Sequence, residues 1–201
     1  LVNVLGVPQG SALAPLLANL YLDPVDRALE GLGVPFARYA DDIVVRADSN
    51  LAAERLRDQI AEVLRSRLRM SLHPDKTQIV SAPDGIDFLG FRVSSNALAI
   101  SDGKVRRLLD RVGECFAAIR GAGESNGAGL AGAALTEALR ALGALLRGFS
   151  AYYLTVGPQR GIAATLAKLD HLIAEQAAHQ LPPEVLLHPE WMARPRLLAR
   201  T

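Results

Sequence analysis

The stretch FARYADDIVV, residues 36–45, constrains the fold more than any other part of the sequence. Its apolar and aromatic flanks predict two short β-strands joined by a turn at Asp41 and Asp42. Adjacent carboxylates repel each other, and taking a carboxylate out of water is costly unless a positive charge compensates. The turn is therefore either a solvated acidic turn or a site for a cation.

The pattern around this stretch predicts an α+β fold. Residues 1–100 mix helices, expected near 11–30 and 50–68, with strands in 34–48, a short strand at 77–80 and a hairpin region near 85–100. Ser11 and Asn50 are the expected helix N-caps. From residue 101 the pattern is helical only, with helices near 103–120, 133–152 and 158–180, and the segment after Leu181 is expected to be weakly structured.

Composition excludes several classes of protein. The 201 residues are 50% hydrophobic, which suffices for a core, and the single cysteine excludes an intramolecular disulfide and a multi-cysteine zinc site. No run reaches the roughly 18 apolar residues of a membrane span. The first ten residues lack the features of a signal peptide, so we expect a cytoplasmic protein and no membrane.

Positive charge is clustered although the net charge is only +1. Two stripes are ordinary solvated helix faces or contacts to a polyanion. The first consists of Arg55, Arg57, Arg65, Arg67 and Arg69, and the second of Lys104, Arg106, Arg107 and Arg111.

The two aspartates match the chemistry of a divalent cation. Mg²⁺ takes oxygen ligands, needs few protein carboxylates and completes its shell with water and substrate phosphates. Nucleotidyl transfer uses two such ions, one for the attacking oxygen and one for the leaving oxygen. Three further motifs accompany the pair: GVPQGS upstream, and HPDKT and FLGF downstream.

In this order and spacing, GVPQGSALAPLLANLYLD, RYADDIVV, LHPDKT and DFLGF resemble the palm motifs of reverse transcriptases. The nearest type is the bacterial retroelement group that includes group II intron-encoded enzymes. The resemblance implies a partial palm over residues 1–100, an antiparallel sheet with packed helices. A helical thumb with an adjoining segment would follow over 101–181, and a C-terminal tail over 182–201.

The resemblance also implies roles for individual residues. Asp41 and Asp42 would bind Mg²⁺ or Mn²⁺, and Lys76 would contact the triphosphate or protonate pyrophosphate, with simple salt-bridging as the alternative. Residues that would line the primer end, the incoming nucleotide and the template are Gly6, Pro8, Gln9, Gly10, Ser11, Tyr39 and Ala40. The primer grip, or plain core packing, would involve Phe88, Leu89, Gly90 and Phe91. Lys104, Arg106, Arg107 and Arg111 would contact nucleic-acid phosphates.

The implied activity is RNA-directed DNA polymerisation, with an RNA template, a DNA primer and deoxynucleoside triphosphates as partners. Another metal-binding aspartate of the family and the fingers would lie before residue 1, so we expect an N-terminally truncated fragment that is inactive alone. The alternatives are an RNA-binding scaffold without catalysis and an unrelated α+β interaction domain. Intron mobility, a CRISPR-associated role and antiviral defence all remain open, as does the oligomeric state.

Overall fold

The computed structural model describes residues 11–124, 133–157, 159–194 and 197. Its contacts divide the chain into two units, Leu1–Ser81 and Ala82–Thr201. The first unit contains α1 (Ala14–Gly31), β1 (Phe36–Tyr39), β2 (Asp42–Val45) and α2 (Asn50–Val63), which continues as a π-helical segment, Leu64–Leu68. Strands β1 and β2 form an antiparallel hairpin.

The core of the first unit lies between α1 and the end of α2. Leu22, Val25 and Leu29 recur at helical spacing along α1 and are buried against Leu64 and Leu68. Helix α1 ends where Gly33 adopts a φ of +66° and donates its N–H to the carbonyl of Glu30 at 2.9 Å. The hairpin packs on this core through Phe36, Ile43 and Val45.

Both predicted helix caps of this unit are wrong by one or two residues. The N-cap of α1 is Leu13, which makes no side-chain cap, and the Ser11 hydroxyl instead accepts from the Leu13 N–H at 3.3 Å. The N-cap of α2 is Ser49, whose hydroxyl accepts from the Ala52 N–H at 3.1 Å. The strand predicted at 77–80 is not formed, because that segment makes no ladder with another described strand.

The second unit contains three short strands and a group of helices. Strands β3 (Ile86–Phe88), β4 (Phe91–Val93) and β5 (Leu98–Ile100) form an antiparallel meander in that order. The helices are α3 (Asp102–Glu124), α4 (Ala133–Leu154), α5 (Arg160–Gln180), α6 (Pro183–Leu186) and α7 (Pro189–Met192). Their apolar faces enclose a core that includes Phe116, Leu166 and Ile173.

The segment after Leu181 is more ordered than its composition predicts. It forms α6 and α7, and it buries Val185, Trp191 and Leu197 in the core of the second unit. The Trp191 ring lies 6.2 Å from that of Phe116, and the Asp170 carboxylate accepts the Leu197 N–H at 2.7 Å. Since three large apolar side chains are buried here, this segment belongs to the helical core.

The architecture confirms the α+β class, with a mainly helical chain and small antiparallel sheets. Contacts group β3–β5 with the helices that follow them, whereas the family resemblance predicts that those strands belong to the palm. The palm and thumb boundaries stay predictions. Among the helices of the described residues, none has both the length and the apolar character needed to cross a bilayer.

Candidate active site

The predicted catalytic residues lie at the tip of the β1–β2 hairpin. Tyr39 pairs with Asp42 in the antiparallel register, so the turn consists of Ala40 and Asp41, and Asp42 is the first residue of β2. The predicted turn position is therefore wrong by one residue. Favoured two-residue hairpin turns need a positive φ at their first residue, and Ala40 has a φ of 52°.

Strand alternation separates the two faces of this hairpin. Phe36, Ile43 and Val45 face the core, so Asp42 and Tyr39 point to the opposite, solvent side. Both aspartates are exposed, and Tyr39 is 66% exposed. Neither Asp41 nor Asp42 forms a side-chain hydrogen bond or ion pair with any described residue. Their carboxylate oxygens are thus available to a ligand from solvent.

Arg38 connects the back of the hairpin to α1. Its Nε and Nη2 donate to the two carboxylate oxygens of Asp26 at 2.8 and 2.5 Å, while Nη1 donates to the Asn19 amide oxygen at 2.9 Å. The same Nη1 donates to the carbonyl of Ala40, in the turn itself, at 3.0 Å. The Asp26 hydrogen bond raises the pKa of Arg38, while burial acts in the opposite direction. The guanidinium therefore stays charged.

Sequence reasoning missed this arrangement, although part of its signal was present. Asn19 and Asp26 are seven residues apart and so share a face of α1. Arg38 shares the inward face of the hairpin with Ile43, its cross-strand partner. A charged residue at an inward position indicates a polar partner on the packed helix.

The donor set fits a hard divalent cation in part. Asp41 and Asp42 supply two accessible carboxylates, and Mg²⁺ needs only one or two from the protein when water and phosphates complete its shell. Within the described ranges, no three side chains of His, Cys, Asp or Glu come together as a metal cluster. Within the described part of the chain, the hairpin thus offers two carboxylates to a cation.

The upstream GVPQGS motif supplies most of the other residues predicted to contact the nucleotide and the template. Gly6, Pro8, Gln9 and Gly10 lie outside the described residues. Lys76 is exposed in a turn in which its N–H donates to the carbonyl of His73 at 3.2 Å. No hydrogen bond or ion pair of the described chain links the Lys76 side chain to the hairpin.

In the second unit, the predicted primer grip is a tight turn between β3 and β4. Phe88 pairs with Phe91, and both turn residues have positive φ, 51° at Leu89 and 86° at Gly90. This combination is that of a type I′ turn. A Cβ added at Gly90 would lie 3.0 Å from the Tyr153 hydroxyl and 3.1 Å from Cε of Lys104. The structure thus places Lys104, a predicted phosphate contact, beside the predicted grip.

Two consecutive tyrosines of α4 hold this turn. The Tyr152 hydroxyl donates to the carbonyl of Leu89 at 2.8 Å, and the Tyr153 hydroxyl donates to that of Gly90 at 3.1 Å. The Phe91 ring stacks on Tyr152 and meets Tyr153 edge-on, with centroids 5.7 and 5.0 Å apart. Burial raises the pKa of Tyr153 to about 12, so its hydroxyl remains a donor at neutral pH. Sequence analysis did not assign a role to either tyrosine.

The basic residues of α3 lie on its solvent side. Leu108, Val112 and Phe116 form the buried stripe of the helix. All four residues predicted to contact phosphates are exposed, namely Lys104, Arg106, Arg107 and Arg111. None of these four side chains forms an ion pair with a described residue, so their charges are available to an anion.

Comparison with known proteins identifies the family of the segment that contains the β1–β2 hairpin. Residues 1–93 match the family described as reverse transcriptase (RNA-dependent DNA polymerase). Residues 1–93 belong to the reverse transcriptase family. This reverse transcriptase segment contains the Asp41–Asp42 pair and extends through the Leu89–Gly90 turn to the end of β4.

Two curated proteins are similar to the chain that carries this reverse transcriptase segment. Protein YkfC of Escherichia coli (strain K12) is 31% identical in a match that covers 44% of this chain and 32% of YkfC. The COX1/OXI3 intron 2 protein of Saccharomyces cerevisiae (strain ATCC 204508 / S288c) is 25% identical. That match covers 45% of this chain and 17% of the yeast protein. The second similarity supports the intron-type relationship, and the chain spans a third or less of either relative.

Proposed function

We propose that this chain contributes the catalytic hairpin of an RNA-directed DNA polymerase. The observation that carries the proposal is the exposed Asp41–Asp42 pair at a hairpin tip, within a segment of the reverse transcriptase family. Asp41 and Asp42 hold a divalent cation, Mg²⁺ or Mn²⁺. When bound, this ion neutralises negative charge on the triphosphate and the attacking oxygen.

The other residues of the hairpin shape the site for the primer end. Tyr39 presents its exposed ring on the same face as Asp42, and Ala40 has a side chain small enough to leave room for a sugar. Lys76 and Ser11 contribute triphosphate and template contacts, together with Gly6, Pro8, Gln9 and Gly10. These assignments follow the family's motif order and require the nucleic acid to lie over the solvent face of the hairpin.

The second unit supplies the duplex contacts. The Leu89–Gly90 turn, fixed by Tyr152 and Tyr153, acts as the primer grip. Lys104 beside this turn and the exposed arginines of α3 bind phosphates of the template–primer duplex, which makes duplex affinity fall as salt rises. An A-like duplex offers a wide minor groove, so these contacts read shape and 2′-hydroxyls rather than sequence.

Primer extension tests the proposal. The protein at its full natural length is given an RNA template, a DNA primer, deoxynucleoside triphosphates and Mg²⁺. Wild type is expected to extend the primer, and Asp41→Ala to abolish incorporation, because the cation loses a ligand. Asp48→Ala is the matched control, since Asp48 belongs to the same unit and is 95% exposed. We expect it to keep the wild-type rate.

Two results count against the proposal. If Asp41→Ala incorporates nucleotides at the wild-type rate, the hairpin has no catalytic role. A wild-type protein that binds the RNA–DNA duplex but incorporates no nucleotide favours the scaffold alternative.

A further inference from the structure

Arg38 is a largely buried charged residue of the β1–β2 hairpin to which the proposed mechanism gives no function. Its side chain is only 10% exposed, in a strand where the neighbouring Ala37 and Tyr39 are open to solvent. It points away from the face that carries Asp42, because Arg38 pairs with Ile43 on the core side. It therefore cannot serve as a substrate-binding cation, and its role has to act through other residues.

Hydrogen bonds of the Arg38 side chain connect helix α1 to the Ala40–Asp41 turn. The two carboxylate oxygens of Asp26 accept from Nε and Nη2, on one edge of the guanidinium, at 2.8 and 2.5 Å, which is the bidentate geometry that fixes the plane of the group. Asn19, on the same face of α1, accepts a further bond from Nη1 at 2.9 Å. With its plane fixed by the helix, Nη1 is directed at the Ala40 carbonyl.

The residue that receives this bond, Ala40, has a backbone conformation that is unfavourable for a residue with a side chain. Ala40 has a φ of 52°, a region that costs a residue with a Cβ roughly 1–2 kcal/mol. Such a conformation persists when its surroundings hold it in place. Ala40 immediately precedes Asp41, so any relaxation of the Ala40 backbone changes the direction of the Asp41 carboxylate.

We propose that Arg38 is a positioning residue that fixes the Ala40–Asp41 turn against α1 and thereby sets the orientation of the Asp41 carboxylate. This inference rests on the proposed function, in which Asp41 is a metal ligand. It extends that function to a group that touches neither substrate nor metal. Asp26 and Asn19 are positioning residues as well, since they fix the plane of the Arg38 guanidinium.

The test uses two variants and a matched control in the protein at its full natural length. Arg38→Lys keeps the positive charge but loses the planar fork, and Asp26→Asn keeps the shape but weakens the bidentate pair. Arg27→Ala is the control. Arg27 also forms an ion pair on α1, with Asp23 at 2.6 Å, but it is 75% exposed, and among the described residues it has no hydrogen bond or ion pair with the turn.

Two readouts are compared. In primer extension, we expect Arg38→Lys to lower kcat by between about tenfold and about a hundredfold, with KM for the nucleotide little changed, because a misplaced ligand affects the reacting geometry more than ground-state binding. In amide hydrogen exchange, we expect faster exchange at Asp41 and Asp42. Asp26→Asn should change both readouts in the same direction by less, and Arg27→Ala should change neither.

The outcomes separate this inference from the proposed function. If wild type incorporates nucleotides and Arg38→Lys matches its kcat and its exchange at Asp41 and Asp42, the positioning role is refuted. An equal slowing by Arg27→Ala also refutes it, since the effect would then come from general loss of helix ion pairs. If wild type incorporates nothing, the proposed function fails, and the exchange at the turn still decides whether Arg38 fixes it.

Discussion

At the scale of single residues, two largely buried polar side chains, Arg38 and Tyr153, each donate a hydrogen bond to a backbone carbonyl in a hairpin turn. Tyr153 is 2% exposed, and its hydroxyl donates to the Gly90 carbonyl 63 residues earlier in the chain. In the first unit, the Arg38 side chain donates to the carbonyl of Ala40, two residues further along the chain, and so also fixes a hairpin turn. Neither bond follows from local pattern, because periodicity indicates which face is buried but not which carbonyl lies opposite.

Tyr153 gives the stability of the protein a pH dependence of known sign. Its pKa is raised from 10 in the unfolded chain to about 12 in the folded one by burial. The contribution is complete below pH 10, falls as pH rises from 10 to 12, and is lost above 12, because the unfolded chain ionises first. We expect the unfolding free energy of Tyr153→Phe to fall less steeply between pH 10 and 12 than that of wild type.

Urea unfolding across this pH range measures the difference. Tyr39→Phe is the control, since Tyr39 is 66% exposed, and its slope should equal that of wild type. Parallel slopes for Tyr153→Phe and wild type would show that the buried phenol is not the group responsible.

At the scale of elements, the sequence predicts that a helix or strand is present better than it predicts the residues at which the element begins and ends. The β1–β2 hairpin, the β3–β5 meander and the long helices are all where the periodicity places them. The caps of α1 and α2 and the Ala40–Asp41 turn differ from the prediction by one or two residues, because apolar periodicity indicates the face of an element but not the residue at which it begins or ends. The apolar residues in the first half of α1 are exposed, Leu16 by 56% and Leu20 by 64%, although their spacing is that of a buried stripe.

The packing of α5 on β5 depends on Gly161, a residue that the sequence pattern did not identify as important. A Cβ added at Gly161 would lie 2.6 Å from the Leu98 carbonyl oxygen, a backbone atom that cannot turn aside. We expect Gly161→Ala to lower the unfolding free energy by about 1–3 kcal/mol through this overlap. Urea or thermal unfolding gives the value.

Gly113→Ala, on α3, is the matched substitution, since nothing lies within 4 Å of its added Cβ. Alanine favours the helix over glycine by about 0.5–1 kcal/mol, so this variant should be as stable as wild type or more so. A Gly161→Ala protein as stable as Gly113→Ala would show that α5 and β5 do not approach as closely as the structure has them.

At the scale of the whole molecule, each unit has a core built from its own residues. Leu22, Val25, Leu29, Leu64 and Leu68 form one core, and the other extends from Ile100 to Leu197. The motifs of the reverse transcriptase segment cross the boundary at Ser81, since the acidic hairpin belongs to the first unit and the Leu89–Gly90 turn to the second. Motif order predicted both turns, but not that Tyr152 and Tyr153 hold the second one.

The function proposed for the chain depends on one physical property, the binding of a divalent cation by the carboxylates at the first hairpin. Mn²⁺ has an electron paramagnetic resonance signal that changes on binding, and oxygen ligands suit it as they suit Mg²⁺. Titration of the full-length protein is compared with that of the Asp41→Asn/Asp42→Asn double variant and of Asp48→Asn as control. We predict that wild type and Asp48→Asn bind a Mn²⁺ ion that the double variant loses. Equal Mn²⁺ binding by all three proteins would contradict the assignment of the hairpin as the metal site.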